Sequence, residues 1–122
     1  MFVEEGARVL IADIDDAKGD ALEAELNGTG DGKSALYRSF DVTHEIRWIE
    51  IIAEIMGKWG RLDVVMNNAG MSVVKGRATV EDTTVENWDT VFAVSSTAIM
   101  LGMKNAIPVM KKNGGGSWWL YC

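Results

Sequence analysis

The stretch LDVVMNNAG, residues 62–70, decides the fold of this chain. Residues 62–66 form a short, mostly aliphatic run without strict alternation, which is typical of a strand buried on both faces of a parallel sheet. Asn67-Asn68-Ala69-Gly70 follows at the carboxyl end of that strand, where a backbone approaches a bound ligand closely. Ordinary turn chemistry is the alternative, because Asn and Gly are also common loop residues.

Three more apolar runs and three helical patterns alternate along the chain. Strands that alternate with helices at this spacing predict right-handed βαβ crossovers and a parallel sheet, with no linker that would divide a single domain. The predicted fold class is therefore α/β, with a Rossmann-type doubly wound sheet. The expected strands are residues 7–13, 34–40, 62–66 and 117–122, and the expected helices run from 15 or 16 to about 26, from 43 to 59 and from 83 to about 110.

Residue types at the helix ends predict their caps. Asp15 or Asp16 caps the first helix and Thr43 the second, because short oxygen-bearing side chains accept hydrogen bonds from the free N–H groups of a first turn. Thr83-Thr84-Val85-Glu86 fits a capping box that opens the third helix, and Pro108 bends or ends it. Apolar residues at helical spacing mark one face of each of the first two helices: Ala17, Ala21, Ala24 and Leu26, then Ile49, Ile52, Ala53 and Met56.

The composition argues against several classes of protein. The net charge is −6, with acidic residues spread along the chain, which disfavours nucleic acid or an anionic membrane as a partner. The single Cys122 forms no internal disulfide, and the single His44 argues against a zinc site. The N-terminus lacks the features of a signal peptide, and the longest mostly apolar stretch, residues 91–103, is too short to span a bilayer. We expect a cytoplasmic protein with no metal site.

Two aspartates lie at the ends of predicted strands. Asp13 can accept hydrogen bonds from the vicinal hydroxyls of an adenosine ribose, and with Asp15 and Asp16 close behind it would repel a 2′-phosphate, which favours NAD over NADP. The alternative is that Asp13 only caps the following helix. Asp41 can accept a bond from an adenine amino group, or it complements the dipole of the next helix.

These pieces occur in the order and at the spacing of a known family. Asp13, the sequence Phe40-Asp41-Val42-Thr43, residues 62–70, Asn87-Trp88-Asp89 and the segment from Leu101 to Met110 resemble the short-chain dehydrogenase/reductases over residues 1 to about 117. The resemblance implies hydride transfer between a secondary alcohol and a ketone with a nicotinamide cofactor. It implies that the adenosine side of the cofactor is bound by Asp13, Ile14, Asp41 and Val42. It implies that the nicotinamide side is bound by Asn68, Ala69 and Gly70.

The chain also departs from the family pattern. The first strand and Gly-rich phosphate loop of the family would precede Met1, and the catalytic Ser, Tyr and Lys would follow Cys122, so the resemblance implies an incomplete Rossmann domain over residues 1–122. Ser95 stands where the family has a catalytic Asn, and its hydroxyl cannot reproduce the donor and acceptor geometry of an amide. We therefore identify no catalytic residue and expect no turnover from this chain alone.

Three functional interpretations follow. The first is an NAD-dependent dehydrogenase of small-molecule alcohols or ketones, of which this chain is a part. The second is a non-catalytic interaction module that forms a homo-oligomer through the helix from Asn87 to Lys112, although packing in the core is the commoner use of such an apolar face. The third is a truncated fragment without function.

Trp118 and Trp119 project to opposite faces of the last strand, which predicts one exposed indole and a tendency to aggregate.

Overall fold

A computed structural model describes residues 2–28, 32, 34–71 and 79–121. The chain divides into two compact units, Met1–Asp41 and Val42–Cys122, where the sequence predicted one domain. The parallel α/β architecture predicted from the sequence is confirmed, and so are the four strands, which all lie within the described ranges. Gly28 ends the first helix, and residues 29–31 and Cys122, the last residue of the predicted fourth strand, lie outside the described residues.

The first unit is a strand, a helix and a parallel strand. Strand β1 is Val9–Asp13, helix α1 is Asp16–Gly28 and strand β2 is Ala35–Ser39. The two strands pair in register from Val9 opposite Ala35 to Asp13 opposite Ser39. Before β1, the N–H of Ala7 donates to Phe2 O (3.0 Å) and that of Gly6 to Val3 O (3.0 Å), with Gly6 at φ 87°. This is the glycine-terminated end of a helical turn.

Polar side chains attach α1 to β2. The side-chain amide of Asn27 makes two hydrogen bonds to the backbone of Ala35. Asn27 Oδ1 accepts from the N–H of Ala35 at 2.9 Å, and Asn27 Nδ2 donates to the carbonyl of Ala35 at 3.1 Å. Glu23 Oε2 accepts from the N–H of Tyr37 at 3.0 Å. Gly19 is the one buried residue of α1, and the predicted alanine face is wrong because Ala17, Ala21 and Ala24 are exposed. The helix therefore lies on the sheet through its backbone at Gly19.

The second unit contains the longer helices and the other strand pair. Strands β3 and β4 run parallel, in register from Val64 opposite Ser117 to Asn67 opposite Leu120. Among the described residues each strand pairs with one neighbour only, so β1 and β3 each have a free edge. The elements are α2 (Glu45–Trp59), β3 (Val64–Asn67), a 3-10 turn (Val80–Asp82), α3 (Val85–Phe92), a π-helical turn (Ala93–Thr97), α4 (Ala98–Lys112) and β4 (Ser117–Leu120).

The core of this unit lies between α2 and α4. Ile52 is the one member of the predicted face of α2 that is buried, because the buried stripe is rotated towards Trp48. Ile49 and Ala53 instead line a shallow groove with Asn105 and Val109 of α4. The buried residues are Trp48, Ile51, Ile52 and Ile55 of α2, Ala98, Leu101, Gly102, Ala106 and Met110 of α4, and Leu62.

Two predicted caps are wrong by one residue. Helix α2 begins after His44, which is extended and makes no side-chain cap hydrogen bond, and the Thr43 hydroxyl lies 3.3 Å from His44 Nδ1. Helix α3 is capped by Thr84, whose Oγ1 accepts from the N–H of Asn87 at 3.2 Å. Thr83 is not the cap because its hydroxyl donates to Thr79 O at 3.1 Å, in the preceding 3-10 turn. For the first helix, capping by Asp15 is confirmed, with Oδ1 accepting from the N–H of Lys18.

Pro108 does not end its helix, because α4 continues to Lys112. Helices α3 and α4 and the π-helical turn form one stretch, Val85–Lys112, long and apolar enough by length and composition to cross a membrane. Core helices of soluble proteins satisfy the same criterion, and α4 contributes five of the buried residues of its unit. We therefore regard α4 as part of that core, whereas α3 and the π-helical turn contribute no buried residue.

Candidate functional site

Asp13 ends β1 with an exposed side chain. Its backbone carbonyl accepts hydrogen bonds from the N–H of Phe40 and from the Tyr37 hydroxyl, each at 2.9 Å. Its Oδ1 accepts from the N–H of Asp15 at 3.0 Å. Since Asp15 is the residue that caps α1, the carboxylate of Asp13 is not used as the helix cap and remains accessible.

The surroundings of Asp13 are acidic. Lys18 donates to Asp15 through Nζ (2.7 Å) and through its backbone N–H, which lowers the pKa of Asp15. Hydrogen bonds from Tyr37 and then Ser39 lower the pKa of Asp16. Burial, followed by the bond to Asp16, raises the pKa of the Tyr37 hydroxyl to about 12. Asp15 and Asp16 are therefore negatively charged at neutral pH, and Tyr37 is a neutral donor.

The other two predicted residues of the first unit follow its strands. Ile14 comes directly after β1 and is 75% exposed, so its side chain offers an apolar surface next to the Asp13 carboxylate. Asp41 is the last residue of the unit, exposed, and separated from β2 by the buried Phe40. An exposed carboxylate and an exposed aliphatic side chain in succession suit an adenosine, which has ribose hydroxyls and an apolar ring face.

In the second unit the predicted turn begins inside the strand. Asn67 is the last residue of β3 and is buried, its carbonyl accepts from the N–H of Tyr121 at 3.0 Å, and its Nδ2 is a buried donor without a partner among the described residues. Asn68, Ala69 and Gly70 follow the strand and are exposed. Val42 is half-buried, and its carbonyl accepts from Trp48 Nε1 at 2.9 Å. Asn68 to Gly70 are accessible to a ligand, while Asn67 is part of the strand.

Ser95 lies in a backbone irregularity that no residue type in the sequence announces. It is the middle residue of the π-helical turn Ala93–Thr97, and the N–H of Ala98 donates to Ala93 O, five residues back. The Ser95 side chain is exposed. Single π-helical turns within α-helices are frequent at functional sites, because they redirect side chains and free backbone acceptors.

Known proteins resemble the chain along nearly its whole length. The family model described as enoyl-(acyl carrier protein) reductase matches residues 1–118. A 2,5-dichloro-2,5-cyclohexadiene-1,4-diol dehydrogenase of Sphingobium indicum is 37% identical over 116 residues, which cover 95% of this chain and 44% of the relative. A trans-4-hydroxycyclohexanecarboxylate dehydrogenase of Sinomonas cyclohexanicum is 39% identical over 114 residues, covering 90% of this chain and 43% of the relative.

Solved structures show the same fold. A protein of Burkholderia xenovorans described as a short-chain dehydrogenase/reductase superposes with a TM-score of 0.86 at 28% identity, over 98% of this chain and 45% of that protein. The serine dehydrogenase of Escherichia coli superposes with a TM-score of 0.82 at 21% identity, over 98% of this chain and 52% of that enzyme. The chain thus spans about half the length of the proteins that it matches, or less. It belongs to the short-chain dehydrogenase/reductase family.

Proposed function

We propose that this chain is part of an oxidoreductase that moves hydride between a secondary alcohol and a ketone, and that residues 1–122 belong to its dinucleotide-binding Rossmann domain. The observation that carries the proposal is the exposed Asp13 carboxylate at the carboxyl end of β1. Ligands of open parallel α/β sheets bind outside the carboxyl ends of the strands, and an acidic residue there accepts hydrogen bonds from the ribose hydroxyls.

NAD is the proposed cofactor, in preference to NADP. A 2′-phosphate on the adenosine ribose would meet the Asp13 carboxylate, with Asp15 and Asp16 ionised nearby. Lys18, a cation close to this strand end, already pairs with Asp15 at 2.7 Å. The negative charges of these three carboxylates repel a phosphate, so a ribose diol is the better ligand at this position.

The residues of the chain bind and orient the cofactor, and the nicotinamide ring supplies the hydride chemistry when it is bound. In the first unit, Asp13 accepts from the ribose hydroxyls, Ile14 contacts the adenine and Asp41 accepts from its amino group. The family resemblance also assigns Val42 to the adenine, and it assigns the exposed Asn68-Ala69-Gly70 turn to the ribose of the nicotinamide side. Ser95, in its π-helical turn, stands at the position of the family's catalytic Asn, where its exposed hydroxyl can bond a water molecule or a backbone carbonyl or serve only as a helix residue.

The proposed substrate class is the cyclic secondary alcohols and the corresponding ketones. Two relatives are dehydrogenases of a hydroxylated six-membered carbocycle, and a third, from Comamonas testosteroni and 34% identical over 112 residues, is a cyclopentanol dehydrogenase. These names favour a ring-bearing substrate over an open-chain one. The cytoplasm is the proposed location, because it supplies a soluble nicotinamide cofactor.

Calorimetric titration of the chain with ADP-ribose and with 2′-phospho-ADP-ribose tests the proposal. We expect ADP-ribose to bind at least about tenfold more tightly, and Asp13→Ala to weaken it by about tenfold or more, the effect of a hydrogen bond to a charged group. Glu25→Ala, which removes an exposed carboxylate from α1 away from its first turn, is the matched control. Equal binding of ADP-ribose by the Asp13→Ala chain would contradict the ribose contact, and tighter binding of the 2′-phosphate would contradict the choice of NAD.

One observation favours a second role for α4. Ser96, Met100 and Met103 line a shallow, almost entirely apolar groove together with Lys104. We propose that this face takes part in a homo-oligomer, with or without catalysis by the same protein. Light scattering after size exclusion tests it: Met103→Glu should lower the mass of the particle, and a wild-type monomer at high concentration would contradict it.

A further inference from the structure

Tyr37 stands beside the proposed ribose contact and has no role in the function proposed above. Its ring is buried, and its hydroxyl donates to the carbonyl of Asp13 at 2.9 Å and to Asp16 Oδ1 at 2.7 Å. One hydroxyl hydrogen thus serves two acceptors, in a three-centre hydrogen bond. The hydroxyl joins the last residue of β1 to the first residue of α1.

The position of this hydroxyl is fixed by packing. The face of the Tyr37 ring lies on the backbone of Gly19, so closely that a Cβ atom there would be 2.0 Å from Tyr37 Cε2. The N–H of Tyr37 is held by Glu23 Oε2 at 3.0 Å. A ring confined between a helix backbone and a strand brings its hydroxyl to one place, and a fixed donor orients its acceptors.

The Asp13 carboxylate depends on the turn that this hydroxyl closes. Within the turn, the N–H of Asp15 donates to Asp13 Oδ1 at 3.0 Å, so the direction of the carboxylate follows the path of residues 13–16. Two donors hold the peptide plane after Asp13, the N–H of Phe40 and the Tyr37 hydroxyl. Without the hydroxyl, the bond from Phe40 to Asp13 and the bond from Ser39 to Asp16 remain, but the direct link from the Asp13 carbonyl to the first residue of α1 is lost.

We propose that Tyr37 and Asp16 are positioning residues for the ribose-binding carboxylate, and that they set the discrimination between a ribose diol and a ribose 2′-phosphate. The inference rests on the proposed function, in which Asp13 binds the ribose. A diol needs the carboxylate oxygens at defined positions, whereas the repulsion of a phosphate falls only slowly with distance. Loosening the turn therefore weakens the binding of the diol more than that of the phosphate.

The test is the ratio of the affinities for ADP-ribose and 2′-phospho-ADP-ribose, measured by titration calorimetry on the full chain. We expect Tyr37→Phe to lower the affinity for ADP-ribose by about threefold to tenfold, the value of one hydrogen bond. The ratio of the affinity for ADP-ribose to that for 2′-phospho-ADP-ribose should fall as well. Tyr121→Phe, which removes the exposed phenol of the other unit, should leave both unchanged.

Two variants of Asp16 separate its hydrogen bond from its charge. Asp16→Asn removes the charge and keeps an oxygen acceptor for Tyr37, so we expect an affinity for ADP-ribose within about twofold of wild type. Asp16→Ala removes both, and the affinity and the ratio should fall as in Tyr37→Phe. The amide resonance of Asp15, which reports its bond to Asp13 Oδ1, should shift in Tyr37→Phe and Asp16→Ala before any ligand is added.

The outcomes distinguish the inference from the function on which it rests. If Asp13→Ala loses ADP-ribose while Tyr37→Phe binds it like wild type, the positioning role is wrong and the proposed function stands. If the two affinities fall in parallel in Tyr37→Phe, the hydroxyl only stabilises the fold, and the inference is again wrong. If Asp13→Ala binds like wild type, or if the wild-type chain binds neither ligand at millimolar concentration, the proposed function fails and the inference fails with it.

Discussion

A Cβ atom on Gly102 would lie 2.8 Å from Cη2 of Trp118, which places the backbone of α4 directly against the indole of β4. The same Cβ would lie 2.8 Å from Cη2 of Trp48, so α2 also closes on this position. Both contacts are shorter than a carbon–carbon van der Waals contact of about 3.5 Å. A glycine is therefore required where the two helices and the last strand meet.

Gly102→Ala is expected to lower the free energy of unfolding of the second unit by about 1–3 kcal/mol, the usual cost of overpacking a core. The methyl group has to displace two large, rigid rings, which outweighs the better helix propensity of Ala. Urea unfolding followed by tryptophan fluorescence measures this change, and it reports on the second unit alone, because Trp48, Trp59, Trp88, Trp118 and Trp119 all lie within it.

Gly57→Ala in α2 is the matched control. It makes the same change within a helix of the same unit, but a Cβ there would have nothing within 4 Å. We expect a gain of up to about 1 kcal/mol from helix propensity. A Gly102→Ala chain as stable as the Gly57→Ala chain would show that the two indoles are not packed as described.

The two adjacent tryptophans of β4 are expected to respond differently to substitution. Trp118 is half-buried against Gly102, so Trp118→Ala should cost roughly 3 kcal/mol. Trp119 is 59% exposed beside the exposed Met66 of β3, so Trp119→Thr should change stability by less than about 0.5 kcal/mol and raise solubility. Urea unfolding and the concentration at which the protein precipitates give the two readouts, and a reversed order of the stability effects would contradict the structure.

The alternation of strands and helices was predictable because each element carries its own apolar pattern. The β3 run and the end of α2 at Gly60, with φ 75°, follow from local chemistry. Cap positions were less predictable, because Thr83 and Thr84 are equivalent by type. Only the preceding 3-10 turn, which uses the Thr83 hydroxyl, decides between them.

The attachment of α1 could not be predicted from hydrophobic spacing. Its alanines suggested an apolar face, yet the helix is held by Glu23 and Asn27 bonding to the backbone of β2 and by Gly19 lying on Tyr37. Polar side chains of this kind look like a solvated surface in the sequence. Periodicity therefore found the helix and missed the face that it buries.

In the candidate site, the positions after the strands were predictable and the contacts that orient them were not. Asp13 and the Asn68-Ala69-Gly70 turn follow from motif and strand order. The bond from Tyr37 to the carbonyl of Asp13 joins residues 24 apart in sequence, and the π-helical turn around Ser95 lies inside a stretch whose sequence predicts one continuous helix. A single sequence contains no local signal for either feature.

The ion pair between α2 and α4 is expected to make the second unit less stable in acid. Glu45 Oε1 accepts from Lys104 Nζ at 2.7 Å and from Asn105 Nδ2 at 3.4 Å, and the bond from Lys104 lowers the pKa of Glu45 below its usual 4.5. A carboxylate whose pKa is lowered on folding stabilises the fold above pH 4.5, and this contribution is lost as the pH falls through the lowered value.

Glu45→Gln should therefore lower the Tm at neutral pH. At a pH below the lowered pKa of Glu45, the Tm of the variant should equal that of wild type. Both side chains are partly exposed, so the effect is small and decreases with added salt. Lys104→Met should lower the Tm by a similar amount, and the double variant by less than the sum, since the two residues share one interaction. Additive effects, or a difference that grows below pH 4.5, would mean that the pair does not form.

The chain is expected to give no steady-state turnover with NAD and cyclic secondary alcohols. Reduction of a ketone needs a general acid poised near the working pH, and neither tyrosine is suited to this task. The Tyr37 side chain is buried, its hydroxyl donates a hydrogen bond to Asp16, and its pKa is raised to about 12. Tyr121 follows β4 with a 77% exposed side chain, and its hydroxyl makes no hydrogen bond among the described residues. Absorbance of the reduced cofactor with cyclopentanol and cyclohexanol measures turnover, and ADP-ribose titration of the same sample verifies that the protein is folded. Sustained turnover that Tyr121→Phe abolishes would identify that hydroxyl as the acid and prove the expectation wrong.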